Sequence, residues 1–440
     1  MKRKVLLAAS VASMIDQFHL PDIRLLQESG CEVHVACNFI KGNTCSGKRI
    51  RSLQERLRRM QVIWHQWDCP RSPYDAVACC RAYRQIWELT GRYAFAWIHC
   101  HSPVGGALAR LAAYRRGIRV IYTAHGFHFY PGAPLKNWLL YYPAEKLLSY
   151  GTDVLITVNR EDFGLAKRRM LSKKVCYIPG VGIDVDQRKP LAKADRAALR
   201  ERFCRKYRIP QDAVILLSVG ELSRRKNHRI VLSALAQLER EDVCYVICGK
   251  GECRRQLVRQ AERLGISSRI RLAGFQEDLT EFYQSADLFV LPSLQEGMPA
   301  ALMEAMAAGL PCIVSDIRGS RELVTARGGR VFALHTGCAA AGLRKQHTGC
   351  AAAGLRKQHT GCAAAGLREQ LAGLLDCPQL WESYGRWNQE KIRRYDRAVV
   401  DRKMKRIYEE FMESEALYGI GSTLWNQEQS IESGAINEKK

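Results

Sequence analysis

Two glutamates eight residues apart, Glu296 and Glu304, stand in the stretch LPSLQEGMPAALMEAMAAG at 291–309. The apolar run before them reads as a strand ending at a loop that holds Glu296 and Gly297. Pro299 then falls near the first turn of a helix that stops before Gly309. Such a start points free backbone N–H groups and the positive end of the helix dipole at whatever lies before it, a natural seat for a diphosphate. Glu304, inside the helix, can accept two vicinal hydroxyls of a ribose, and Glu296 in the loop can reach a sugar hydroxyl. Taken alone, a solvated helix with incidental acids explains the stretch about equally well. Two carboxylates beside a sugar also suggest a glycoside hydrolase, with one as acid and the other as nucleophile. A phosphate cradle argues against that, because a nucleoside diphosphate leaves without a strong acid.

The elements that must position these groups follow from hydrophobic patterning. Short apolar runs rich in β-branched residues alternate with helix-length amphipathic stretches. Strands are predicted at 4–10, 32–37, 62–67, 96–101, 120–124, 154–158 and 175–178, then at 214–219, 245–248, 270–273, 288–291 and 312–315. Strands apolar on both faces, joined by helical crossovers, make parallel sheets covered by helices. The chain has 440 residues, comfortable for two domains. The rhythm lapses at 181–195, which reads as a linker. The expected fold is α/β, two doubly wound Rossmann-like domains facing a central cleft at the carboxyl ends of both strand sets. The opening MKRKVLLAASVASM resembles a signal peptide but reads better as a first buried strand, and no apolar run reaches the length of a spanning helix.

At 335–346 the sequence HTGCAAAGLRKQ appears, is repeated at 347–358, and appears again at 359–370 with Glu369 in place of lysine. A 12-residue period advances an ideal helix by three turns and about a third of another. Matching residues of successive copies therefore point in different directions, no single apolar face results, and an expanded surface helix or loop is expected. Residues 381–412 return to a basic helical pattern, and the tail at 413–440 reads as disordered.

Several motifs in one order make the resemblance specific. HCHSPVGG at 99–106, YTAHGFHFYPGAPLKNW at 122–138, SVGELSRRKNH at 218–228, CGKGE at 248–252 and the E-x7-E stretch followed by AMAAGLPCIVSD resemble family 4 glycosyltransferases. These are retaining enzymes of the GT-B architecture, and the AHGFHFY stretch is similar to their bacterial capsular and exopolysaccharide branch. The resemblance covers the chain to about residue 410, the repeat apart. It implies an acceptor-binding domain at 1–180 and a nucleotide-sugar domain at 196–380 that carries the repeat at 335–370. It also implies helices at 381–412 that are candidates to cross back to the first domain.

Residue by residue, the resemblance implies that Lys226 pairs with the donor diphosphate and that His125 lies beside the donor sugar from the opposite domain. It assigns Gly220, Arg225, Lys226, Gly249, Phe275, Glu296, Gly297, Met298, Pro299, Ala300 and Glu304 to the nucleotide sugar, with His125, Lys226 and Glu296 as the catalytic set. Asp16, Gln17, His101 and His125 fall on the acceptor side, although His101 and His128 read first as structural histidines. Glu221 stands where the family often has arginine, which leaves Arg224 or Arg225 as substitutes. Asp184 and Asp186 form a DxD pattern that we read as a decoy, since this architecture uses no catalytic metal. The implied reaction is transfer of a hexose or N-acetylhexosamine, from a nucleotide sugar with UDP favoured, to a lipid-linked saccharide. Retention would come from front-face attack with the diphosphate helping to deprotonate the acceptor. No cofactor is expected.

Sixty-eight Lys and Arg against 44 Asp and Glu leave +24, which favours an anionic partner. Residues 1–180 hold 27 basic and 12 acidic side chains, so +15 falls in the first domain. The run at 48–59, with Arg51, Arg56, Arg58, Leu53 and Leu57, and the cluster at 167–170 are candidate contacts to an anionic membrane surface. That suggests a cytoplasmic protein, peripheral on the inner face of the membrane. Seventeen cysteines, an odd number scattered without paired CxxC spacing, fit reduced thiols rather than disulfides or zinc. A nucleic-acid-binding protein would be equally basic, but no recognition motif supports it. A non-catalytic or epimerase-like GT-B protein is the nearer alternative. Oligomeric state leaves no mark on the sequence.

Overall fold

The computed structural model describes residues 2–42, 45–334 and 352–414, with backbone alone over 352–361. The chain divides into two compact units. The first comprises residues 1–157, 162–178 and the chain from 398 on; the second comprises 158–161 and 179–397.

The first unit holds a seven-stranded sheet. Its strands are β1 (Lys4–Val11), β2 (Glu32–Asn38), β3 (Ile63–Gln66), β4 (Phe95–His101), β5 (Arg119–Ala124), β6 (Val154–Thr157) and β7 (Lys174–Tyr177). The order is β3-β2-β1-β4-β5-β6-β7 and all pairings are parallel. The amino-terminal run expected to be a strand is thus the buried β1, flanked by β2 and β4. Strand order reverses between β1 and β4, so the loops leaving their carboxyl ends open side by side. A helix over residues 397–414 completes this unit: Val400, Met404, Tyr408 and Phe411 are buried. Tyr408 bonds His99 at 2.8 Å, and Arg119 stacks on Phe411 while donating to its carbonyl.

The second unit repeats the plan with β8 (Val214–Val219), β9 (Val243–Cys248), β10 (Ile270–Gly274), β11 (Leu288–Leu291), β12 (Cys312–Ser315) and β13 (Gly329–Phe332). The order is β10-β9-β8-β11-β12-β13, again parallel, and reverses between β8 and β11. Sequence patterning missed only β13, whose four residues alternate glycine, arginine, valine and phenylalanine without a continuous apolar run.

Two expectations need correction. The stretch at 181–195 is not a free linker: Ile183 and Val185 are buried in the core of the second unit, and Ile183 pairs as a β-bridge with Asp396. Its alternation of apolar with acidic residues is what burying one side looks like. The repeat also differs. Its third copy lies on the helix Ala352–Leu375, and Ala363, Ala364 and Leu367, with Leu371, Leu374 and Leu375 beyond it, are buried in the core beside the helix Arg229–Ala236. The third copy is joined to LAGLL, which extends the same buried stripe at helical spacing. Residues 335–351 of the repeat and the tail beyond 414, expected to be disordered, lie outside the described residues.

Candidate functional site

In the second unit the candidate residues gather where β8 and β11 end. The loop after β8 carries Arg225 and Lys226, and the loop after β11 carries Glu296. They are tied together by Leu294 N donating to Arg225 O at 2.8 Å and by Asn227 Nδ2 donating to Pro292 O at 3.2 Å. Asn227 holds a left-handed φ of 55°, a conformation asparagine tolerates better than most residues. Behind them Tyr245 donates to Ser218 Oγ at 2.8 Å and bonds His228 Nδ1 at 3.0 Å. This buried chain pins the far end of the first loop to the sheet. Burial holds the His228 imidazole down at about 3, so it is neutral at physiological pH.

Glu296 is the electrostatic centre. Its Oε1 lies 2.7 Å from Lys226 Nζ and its Oε2 3.0 Å from Arg225 Nη1. Its side chain is 9% exposed and that of Lys226 12%. Burial alone would raise this carboxyl, but Lys226 and Arg225 outweigh it and hold the group at about 2. The backbone of the loop is fixed as well. Arg318 Nε donates to Glu296 O at 3.1 Å, Arg225 to Gln295 O at 2.9 Å, and Asn159 Nδ2 to Gly297 O at 3.3 Å. Gly319 is required here, because a Cβ on it would sit 2.1 Å from Gly297 O.

The helix Ala300–Ala307 begins with Pro299 at its N-cap, with no side chain capping it and no acid in its first turn. Its first N–H groups therefore meet no side-chain acceptor, and the positive end of the helix dipole has no acidic partner in that turn. Met298 packs against the core from this loop. One turn into the helix, Glu304 accepts from Tyr283 Oη at 2.9 Å and faces Arg188 Nη2 at 3.6 Å. Burial raises its pKa against the opposing pull of Arg188 and Tyr283. Arg188 and Tyr283 were not singled out by sequence. Arg188 lies in the stretch read as a linker, and nothing local marks either residue.

Gly220 and Gly249 end β8 and β9 in contact: a Cβ on Gly249 would lie 1.8 Å from Gly220 O. Gly249 N donates to Gly274 O at 2.7 Å. The next loop sets Phe275 under Lys250, whose ammonium is 5.3 Å from the ring centroid. Two residues of the DxD pattern are occupied elsewhere, Asp184 accepting from Gln187 N and Asp186 pairing with Lys189 at 2.6 Å.

In the first unit the loops after β1, β4 and β5 bring His19, His101 and His125 together. His19 sits at the end of a π-helical turn, Ile15–His19, a form enriched at functional sites. Its Nδ1 bonds Asp22 at 2.7 Å, its ring stacks on His101 at 3.7 Å, and His101 Nδ1 faces His125 Nε2 at 3.3 Å. Burial and the neighbouring imidazoles hold His101 far below its ordinary value and His125 at about 3. His101 and His125 are therefore neutral at physiological pH, able to exchange hydrogen bonds but carrying no charge. Sequence reasoning missed His19 and Asp22.

The other acceptor-side residues behave differently. Asp16, with a fully buried side chain, is taken up by Arg49 and Arg56, while Gln17 is exposed. His128 stacks on Tyr141 at 4.6 Å, the structural role first read for it. One atom from each of His19, His101 and His125 lies within 4.8 Å of the others, and no other group among the described residues comes as near to a metal-ligand set. Two nitrogens on one zinc ion are at most about 4.2 Å apart, from Zn–N distances of about 2.1 Å. All cysteines among the described residues are free thiols.

Comparison with known proteins agrees with this architecture. Residues 22–179 match the model of the glycosyl transferase 4-like domain, and residues 200–338 match that of glycosyl transferases group 1. A Bacillus subtilis (strain 168) relative named as glycosyltransferase EpsD is 37% identical over 353 residues, 78% of this chain and 87% of the relative. The UDP-Gal:alpha-D-GlcNAc-diphosphoundecaprenol alpha-1,3-galactosyltransferase of Escherichia coli is 30% identical over 247 residues, 54% of this chain and 62% of that enzyme. Among solved structures, Anabaena HepE in complex with UDP superposes with a TM-score of 0.66 at 15% identity, covering 93% of this chain and 100% of HepE. At that identity the likeness is one of fold, and the fold is GT-B. The chain belongs to the family 4 glycosyltransferases and is a transferase.

Proposed function

We propose that the chain transfers a hexose or N-acetylhexosamine, with retention, from a UDP-sugar to a lipid-linked saccharide during synthesis of a cell-surface polysaccharide. The observation that carries this reading is the paired loops of the second unit. They hold two cations and a carboxylate kept at about 2 beside an uncapped helix start. In that arrangement Lys226, Arg225 and the N–H groups at Ala300 would take the diphosphate, and charge arising on the leaving group would meet fixed positive dipoles and an ammonium. Glu304 would accept the ribose hydroxyls, with Tyr283 and Arg188 setting its carboxylate. Gly249 and Phe275 would border the base. Glu296 would bind a hydroxyl of the transferring sugar.

We assign His125 to that sugar, and Gln17 and His101 to the acceptor side. Asp16 we now assign to positioning the basic helix through Arg49 and Arg56. The E. coli relative is named for a diphosphoundecaprenol acceptor, which favours a lipid-linked acceptor here and work at the inner face of an anionic membrane. Positive charge at the phosphates is supplied by side chains and a helix end, so we propose that no metal takes part.

The test is transfer from a panel of nucleotide sugars to polyprenyl-diphosphate saccharides, with and without EDTA. Product with retained anomeric configuration, undiminished by EDTA, is expected. Epimerised donor without transfer would replace the reading with an epimerase, and donor binding without any turnover would replace it with a non-catalytic protein. Loss of activity in EDTA, restored by zinc, would reassign His19, His101 and His125 to a metal centre.

A further inference from the structure

The helix Leu135–Tyr150 is apolar on both sides, with Trp138, Tyr141 and Tyr142 packed inward against the core of the first unit. Its inward side carries a charge: Glu145 accepts from Arg110 at 2.8 Å and from Tyr122 Oη at 3.2 Å, with Arg110 only 1% exposed. Asn137 bonds His128 O at 2.9 Å on the same side, and Ser149 is the helix's single buried residue. Leu135, Leu139, Leu140, Pro143, Leu147 and Tyr150 form the outward stripe, at helical spacing. Leu135, Leu139 and Leu147 are 72%, 70% and 75% exposed. A helix packed by one side on a soluble core presents charged and polar residues on the other. Single exposed leucines need no explanation, but a continuous stripe of them does.

The stripe does not end with the helix. Tyr150 meets the exposed Tyr114 of the helix Pro103–Arg116 edge to face. Beside it, Tyr142, Lys146, Arg168, Arg169, Met170 and Leu171 line a depression of about 440 Å³. Three cations thus stand at the edge of an apolar face, and the helix's one acid is turned inward and paired. Apolar residues flanked by basic ones fit an anionic lipid surface, with acyl chains against the leucines and phosphates against the cations.

The helix Gly47–Arg59, which sequence favoured for this role, lacks such a face. Its Ile50, Leu53 and Leu57 are buried, Arg49 and Arg56 are held by Asp16, and Glu55 takes Arg58 and Arg59.

We propose that the outward face of Leu135–Tyr150 is the membrane-docking surface of the protein. Its leucines enter the head-group boundary of an anionic bilayer, and Lys146, Arg168 and Arg169 take lipid phosphates in the adjoining depression. This inference rests on the membrane part of the function proposed above and names the surface responsible.

Flotation of the full chain with vesicles of phosphatidylcholine alone, or mixed with phosphatidylglycerol, tests it. The wild type is expected to float with the mixed vesicles at low salt. A Leu135→Ser/Leu139→Ser/Leu147→Ser variant is expected to lose at least tenfold in bound fraction, and Lys146→Glu/Arg168→Glu to lose a similar amount. UDP affinity and circular dichroism should be unchanged in both. A Lys48→Glu/Arg51→Glu variant should float as the wild type does.

If the wild type does not float, both the membrane reading and this surface are overturned. If the leucine variant floats as well as the wild type, the surface is wrong while the membrane reading stands. If the wild type is a dimer that the leucine substitutions split, and it ignores vesicles, the face belongs to a second copy and the proposal fails.

Discussion

Replacing Lys226 by methionine should reveal how much the ion pair under the proposed phosphate seat is worth. Glu296 falls from an ordinary value of 4.5 to about 2 in the folded chain. At about 1.4 kcal/mol per pKa unit this is roughly 3 kcal/mol favouring the folded state. The group is nearly inaccessible, so solvent screening takes little away. Because the folded pKa lies below the unfolded one, that contribution is complete above about pH 4.5 and is lost as the pH falls through about 2. In Lys226→Met the carboxylate keeps Arg225, whose side chain is 45% exposed, and the Ser293 hydroxyl, and burial then pushes its pKa up. The variant should lose about 3 kcal/mol at pH 7 and lose less further stability than the wild type between pH 5 and 3. Lys226→Met/Glu296→Gln, which removes both charges, should recover most of the loss, since a stranded buried charge costs more than an absent pair. Denaturant midpoints across pH, followed by tryptophan fluorescence and circular dichroism, would measure this. Activity should behave differently: a fall of about 10²–10³ in kcat/KM for the single variant, with no recovery in the double variant. A stability cost under about 1 kcal/mol, with an unchanged pH slope, would refute the electrostatic account of Glu296.

Other outcomes follow from packing. Gly249→Ala puts a methyl group into the Gly220 carbonyl and should weaken UDP binding at least about tenfold by calorimetry, as expected when a binding loop must shift. Gly373→Ala, with open space around it, should leave binding unchanged. Leu367→Ala should cost about 2–5 kcal/mol as a core truncation, read as a lower denaturation midpoint. Tyr408→Phe leaves His99 Nδ1 without its buried partner and should cost about 1–3 kcal/mol, read as a lower thermal midpoint.

The strands were legible because burial on both faces writes an unbroken apolar run into the sequence, as in VLLAAS of β1. The site was legible where backbone geometry forces a residue type: Pro299 at a helix start, glycines at strand ends, glutamates at a fixed spacing. What escaped were groups brought in from far along the chain. Arg188 reaches Glu304 across 116 positions from a stretch whose composition looks like a connector. His19 acquires its meaning from His101 and His125, which local spacing does not reveal. The outward leucines of 135–150 were equally hidden, since an apolar stripe reads the same whether it faces a core or a bilayer.

The helix at 397–414 has a consequence for how the chain is made. The seven strands of the first unit are complete by Tyr177, yet the helix that covers Trp97 and His99 is translated only after the whole of the second unit. At about 5–20 residues per second, the roughly 220 residues between them take about 10–40 s. For that time the ribosome displays a sheet with part of its core open to water, and a chaperone able to cover one apolar face of it would set the yield of folded enzyme.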